Sequence, residues 1–231
     1  MRTTPIVALD VPTAERALAI VDTLGELCRF YKIGSELFTA EGPGVVRAVR
    51  ERGHDVFLDL KFHDIPNTVR AAARSAAALG ARLMTVHAAG GRAMIEAAVE
   101  GAGRESGVLA VTVLTSMDAG TLGTAWGRSG VDVRDEVRRL AQSARDAGAL
   151  GVVCSGEEVA DLHARHGPAL RLLVPGIRLA GGETHDQARV VTPAAAAEAG
   201  ASYVVLGRAV TGAPDPRGAM AAALRELGTP V

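Results

Sequence analysis

The chain has 231 residues, of which 48% are hydrophobic and 3% aromatic, and a formal net charge of −1. That length suits one large core and is common for a single α/β barrel. Near-neutrality gives no global pull towards nucleic acid or an anionic membrane, the scarce aromatics leave little to stack bases on, and no apolar run reaches the ~18 residues of a membrane span.

The N-terminus enters a strand-like run by Ile6, which leaves no room for a signal peptide. Cys28 and Cys154 lie far apart, in or beside apolar runs, and read as reduced, buried thiols of a cytoplasmic protein. In chain order, short β-branched runs are predicted to be strands at 5–9, 30–33, 56–60, 83–86, 109–114, 151–154, 172–174 and 203–206. They are continuously apolar, as strands covered on both faces are. Helices are predicted between them, among others over 13–23, 67–79, 92–102, 132–147 and 216–227. Asp132 is placed to cap the fourth of these, whose Val133, Val137, Leu140 and Ala144 share one face.

Eight β-α units without a linker predict one α/β domain over residues 1–231, a (β/α)8 TIM barrel with its active site at the C-terminal mouth of the strands. A doubly wound open sheet is the competing architecture, but the first turn, Asp10-Val11-Pro12, lacks the glycine-rich dinucleotide pattern. Polar residues follow the strands in order: Asp10, Lys32, Asp59 with Lys61, His87, Thr115 with Ser116, Ser155, Arg178, and Gly207-Arg208. A barrel gathers them at one mouth; an open sheet would spread them along an edge.

Of 25 basic residues, all but Lys32 and Lys61 are arginine. Where arginine is the default cation, a lysine marks a task that arginine cannot do, and an ammonium can give up a proton where a guanidinium cannot. Both could instead be surface charges, but each ends an apolar run. Asp59-Leu60-Lys61 sets opposite charges at i and i+2, on one strand face. With Lys32, Asp64 and nearby Asp10 they form an alternating array of ammoniums and carboxylates. A salt-bridge network bracing the mouth is the bland alternative, disfavoured because buried ion pairs are weak stabilisers. Pro66 holds Ile65 extended, and Asn67 is read as the cap of the next helix.

The run Asp59-Leu60-Lys61-Phe62-His63-Asp64-Ile65-Pro66-Asn67-Thr68 resembles the signature of the orotidine 5′-phosphate decarboxylase family. Further blocks match in order: Ala8-Leu9-Asp10, Tyr31-Lys32-Ile33-Gly34, Leu114-Thr115-Ser116-Met117, Pro175-Gly176-Ile177-Arg178 and Gly207-Arg208. The resemblance implies decarboxylation of orotidine 5′-phosphate to uridine 5′-phosphate, in pyrimidine biosynthesis, without cofactor or metal. It implies Lys61 as proton donor, with Asp59, Asp64 and Lys32 completing the charged array. Lys32 and Asp10 would lie near the ribose, and Thr115 or Ser116 would contact the pyrimidine. Gln187, Gly207 and Arg208 would hold the phosphate, with Arg178 in the same wall. It also implies a homodimer in which Asp64 and Thr68 reach the partner's site, while charge, aromatic content and hydropathy argue for no nucleic-acid or membrane partner.

Residues 179–188, with Gly181 and Gly182, read as a phosphate-closing lid, with an inert surface loop as the alternative. Trp126 would cover the base or simply pack. His63 and His87 fit no zinc spacing and are expected to be packed or hydrogen-bonded, whereas His54, His163, His166 and His185 read as loop or helix-surface residues. The nearest rival function is a magnesium-dependent sugar-phosphate decarboxylase or aldolase on the same barrel, with Asp10, Asp59 and Asp64 leaning towards the metal. A catalytically silent phosphate-ligand binder stands further off.

Overall fold

The computed structural model describes residues 2–179 and 191–229. Eight strands form: β1 Thr4–Ala8, β2 Phe30–Gly34, β3 Asp55–Phe62, β4 Ala81–His87, β5 Gly107–Val111, β6 Gly151–Val153, β7 Arg171–Val174 and β8 Tyr203–Leu206. Every neighbouring pair is parallel, and β8 returns to β1 through Thr4–Tyr203 to Val7–Leu206, so the sheet closes in sequential order. The (β/α)8 barrel expected from the sequence is the fold observed.

The strands are mostly apolar because each has two covered faces. Ile6, Ala8, Phe30, Phe57, Leu83, Leu109, Leu173 and Val205 point inward and fill the barrel. Their alternates, such as Val7, Tyr31, Ile33, Leu58, Met84, Val86, Val108 and Leu172, pack outward beneath the helices. Each fully buried aliphatic side chain of this kind stabilises the fold by about 1.5–3 kcal/mol.

The predicted strands all form, with edges moved by a few residues. The fifth ends at Val111 instead of 114, where Thr112 spends both its N–H (3.2 Å) and its hydroxyl (2.8 Å) on the Val153 carbonyl. The third runs on to Phe62 through an irregularity. Leu58 pairs with Met84 and Phe62 with Val86, so β3 carries extra residues against β4 in a bulge.

Asp132 caps Val133–Asp146 as expected, accepting from the Asp135 N–H at 2.9 Å. Asn67 does not cap its helix. Pro66–Ala78 begins one residue earlier, with Ile65 at the cap position and Pro66, which has no N–H to satisfy, in the first turn. Cys28 and Cys154 are free and buried, as expected. Burial pushes the Cys28 thiol up to about 11 and raises that of Cys154 as well. His166 departs from the surface reading, being buried, while His54 lies in a loop and stacks edge-on against Tyr31 with ring centroids 5.2 Å apart. Among the described residues, no helix is long and apolar enough to cross a membrane.

Candidate active site

A cavity of about 540 Å³ opens at the carboxyl ends of the strands. Its floor is the upper layer of the barrel interior, including Ala8, Phe57, Val111, Val153, Leu173 and Val205. Its walls bring together Asp10, Lys32, Asp59, Lys61, Thr115, Arg178, Gly207 and Arg208, eight of the residues singled out in the sequence. An apolar base under a few convergent polar groups is the usual build of a small-molecule site.

The charged array is continuous across three strands. Lys32 on β2 lies 2.7 Å from Asp10 Oδ1, just beyond β1, and 3.7 Å from Asp59 Oδ2. Lys61 Nζ lies 2.9 Å from both oxygens of Asp59. Gly34 leaves the room this needs: a Cβ there would stand 2.9 Å from Asp10 Oδ1 and 3.0 Å from Lys32 Nζ.

The Asp59–Lys61 contact owes less to simple strand alternation than the sequence suggested. Lys61 sits in the bulge with φ of 50°, the one positive φ outside glycine among the described residues. A side chain in the left-handed region stores strain that its surroundings must hold. Thr85, fully buried on β4, spans the bulge: it accepts the Lys61 N–H at 2.9 Å and donates to Asp59 Oδ1 at 2.9 Å.

Burial alone would push the Asp59 carboxyl upward, but the Lys32 and Lys61 ammoniums, with hydrogen bonds from Lys61 and Thr85, outweigh it and hold it below its ordinary value. His87, at the end of β4, packs against His63 with ring centroids 5.2 Å apart, as the packed reading expected. Burial lowers its pKa, as do His63 and Lys61, with Asp59 opposing.

Of the expected site residues that the structure describes, Asp64, Thr68 and Ser116 are not among those lining the cavity. Asp64 and Thr68 are exposed on the segment after β3, where Asp64 accepts from the Ile65 N–H at 2.6 Å; the Ile65 side chain beside them is 67% exposed. Ser116 is exposed beyond the wall, while its neighbour Thr115 lines it. Gln187 lies outside the described residues, as does most of the expected lid. Ser155 is buried and accepted by Glu158, through its N–H at 2.7 Å and its hydroxyl. Trp126 packs against the core and is not among the cavity-lining residues.

The family model described as orotidine 5′-phosphate decarboxylase / HUMPS matches residues 3–223. The chain belongs to that family. Its curated relatives include the orotidine 5′-phosphate decarboxylase of Anaeromyxobacter sp. (strain K), 55% identical over 212 residues and 92% of each chain. That of Cutibacterium acnes is 50% identical over 219 residues, 93% of this chain and 92% of the relative. Both names denote a carbon–carbon lyase. Among solved structures, the orotidine 5′-phosphate decarboxylase of Lactobacillus acidophilus superposes with a TM-score of 0.87 at 38% identity, covering 99% of this chain and all of that one. The corresponding Pyrococcus horikoshii enzyme gives 0.80 at 27%, covering 98% and 100%.

Membership fits the geometry, since the block from Asp59 to Thr68 spans the charged pair, the bulge and the exposed turn. Thr85 was missed in the sequence. Its only signal is a hydroxyl at the inward register of the otherwise apolar run Leu83-Met84-Thr85-Val86. The bulge was missed as well, because Asp-Leu-Lys continues the alternation of an ordinary strand.

Proposed function

We propose that this chain decarboxylates orotidine 5′-phosphate to uridine 5′-phosphate, a step of pyrimidine biosynthesis in the cytoplasm, with Lys61 as the proton donor. The observation that carries the reading is the Lys61 ammonium, held against Asp59 at 2.9 Å in the wall of an apolar-floored cavity. When the bond from C6 of the pyrimidine to its carboxylate breaks, the electron pair stays in an sp² orbital outside the ring π system. Nothing in the ring delocalises it. An ammonium facing that carbon stabilises the developing charge and then transfers its proton to C6, after which the amine regains a proton from solvent.

Asp59, ionised between two lysines, places a negative charge near the substrate's own carboxylate; that repulsion is relieved as neutral CO₂ departs. Lys32 and Asp10, joined at 2.7 Å, are assigned to the ribose, and Thr115 to the pyrimidine. Ser116 is the alternative pyrimidine contact, and Gln187 is assigned to the phosphate from the resemblance alone.

Arg178, Gly207 and Arg208 are assigned to the phosphate. The arginine fork suits a phosphate oxygen pair. A Cβ on Gly207 would meet nothing among the described residues within 4 Å, which suits the close approach of a ligand there. Binding energy gathered at the phosphate, remote from the bond that breaks, is available to orient the base.

The domain is taken as residues 1–231, with its active site at this mouth and a homodimer as the working unit. Exposed Asp64 and Thr68, flanking the exposed Ile65, support that arrangement, since they are not among the residues lining this chain's cavity and suit donation to a partner's. The magnesium-dependent sugar-phosphate reading is less well supported, because Asp10 and Asp59 already hold ammoniums where a cation would have to sit.

The test is the loss of ultraviolet absorbance of orotidine 5′-phosphate on mixing with the purified protein, with and without EDTA. Loss indifferent to EDTA is expected. No loss, or loss only with added Mg²⁺, would overturn the assignment in favour of the sugar-phosphate chemistry.

A further inference from the structure

Thr85 belongs to no reading given so far of substrate or proton transfer, yet its hydroxyl joins the two parts of the site that most need fixing. Lys61 approaches Asp59 from a strained backbone in a bulge, and such a backbone persists only where neighbours over-determine it. The orientation of the Thr85 hydroxyl is forced. The Lys61 N–H can only donate and the ionised Asp59 carboxylate can only accept, so Oγ1 accepts from the first and donates to the second, both at 2.9 Å. One atom thus ties the backbone carrying the ammonium to the carboxylate facing it, from a side chain with no solvent exposure.

We propose that Thr85 is a positioning residue for the proton transfer: its hydroxyl fixes the direction in which the Lys61 ammonium points by clamping the bulge to Asp59. The role rests on the decarboxylase reading above. A valine at this position would keep the shape and β-branching of the strand but deprive the partly buried Lys61 N–H of this acceptor and remove one donor from Asp59. The phosphate-binding residues on the loops after β7 and β8 are untouched by the change, so the defect belongs in turnover and not in substrate capture.

The experiment compares kcat and KM of Thr85→Val and Thr85→Ser with the parent. It is run beside hydrogen exchange on protein labelled with 15N-lysine, where the two lysines give two backbone amide signals. Thr85→Val is expected to lower kcat at least about tenfold, or roughly 1.4 kcal/mol of barrier, with KM within a factor of about three. Exchange at the Lys61 amide should quicken while that at Lys32 is unchanged, and Thr85→Ser should keep both readouts near the parent. Equal kcat in the valine variant and the parent, equal loss in valine and serine, a defect confined to KM, or unchanged Lys61 exchange would each overturn the proposal. If the valine variant does not fold, Thr85→Ala against Thr85→Ser makes the same comparison, and equal kcat in those two overturns it. A parent that decarboxylates nothing would sink the function assigned above, while the amide exchange would still report whether the clamp exists.

Discussion

Lys61 and Asp59 meet at 2.9 Å through both carboxylate oxygens, although the lysine's backbone has left the extended region that the strand around it keeps. The contact is therefore built by local strain as well as by charge, and it fixes which substitutions the site tolerates.

Lys61→Arg preserves the positive charge but not the capacity to release a proton near neutral pH. Turnover is expected to fall by about 100-fold or more, within the range that positioned acid–base groups supply. The melting temperature should stay close to that of the parent. Activity within about tenfold of the parent, measured by absorbance loss, would remove Lys61 from the role of proton donor.

The Asp59 carboxyl titrates below its ordinary value in the folded protein, held there by two ammoniums despite burial. Because the folded pKa lies below the unfolded one, the ion pairs contribute their full stability above the unfolded value of about 3.9 and lose it as pH falls through the folded value. Denaturant unfolding of the parent and of Asp59→Asn should thus show a constant stability difference from pH 7 to about 4, shrinking at lower pH. A difference that already shrinks between pH 7 and 5 would contradict the depressed carboxyl.

Much of this site was legible in the sequence, for physical reasons. A strand covered on both faces is apolar without a break, so β1 to β8 announced themselves, and the residue after each had to lie at one rim once the sheet closed. Two lysines among arginines pointed to the mouth, and both line the cavity. What stayed hidden depends on geometry that residue type does not encode. Asp59-Leu60-Lys61 is written like a regular strand, although β3 bulges there. Thr85 looks like ordinary β-branched filling. Asn67 has the chemistry of a cap, yet Pro66 already tolerates the first turn without one. The surroundings of Asp64 and Thr68 involve a second chain in the proposed dimer, which one sequence does not display.

Gly34→Ala is a sterically small test of the other half of the array. With φ of −92° the alanine backbone is unstrained, so the fold should hold. Its Cβ would press on Asp10 Oδ1 and Lys32 Nζ, the free ends of two flexible side chains, and push them apart. Loss of that charge-assisted contact should lower kcat/KM by about tenfold, or roughly 1.4 kcal/mol. Activity equal to the parent's would show that the Asp10–Lys32 pair contributes nothing to the site.

Arg208→Ala should weaken substrate binding by about 10- to 100-fold in kcat/KM, the worth of a charge-assisted hydrogen bond of about 1.5–3 kcal/mol. The effect should shrink for the nucleoside lacking its phosphate. An equal loss on both substrates would assign Arg208 to something other than the phosphate.

Inactive Lys61→Ala and Asp64→Ala subunits, once mixed, should regain activity. Random exchange places intact Lys61 and intact Asp64 together in one site of every mixed dimer, or about a quarter of all sites. No recovery after verified exchange would rule out the shared site.

Verifying that exchange is made simple by the two cysteines. Both thiols are enclosed and held protonated at neutral pH, so the native chain offers maleimide reagents no thiolate to attack. A cysteine introduced at an exposed position such as Glu105 becomes the sole point of dye attachment in the folded protein. Donor- and acceptor-labelled subunits then report the swapping of partners by energy transfer, with no thiol having to be removed from the core first.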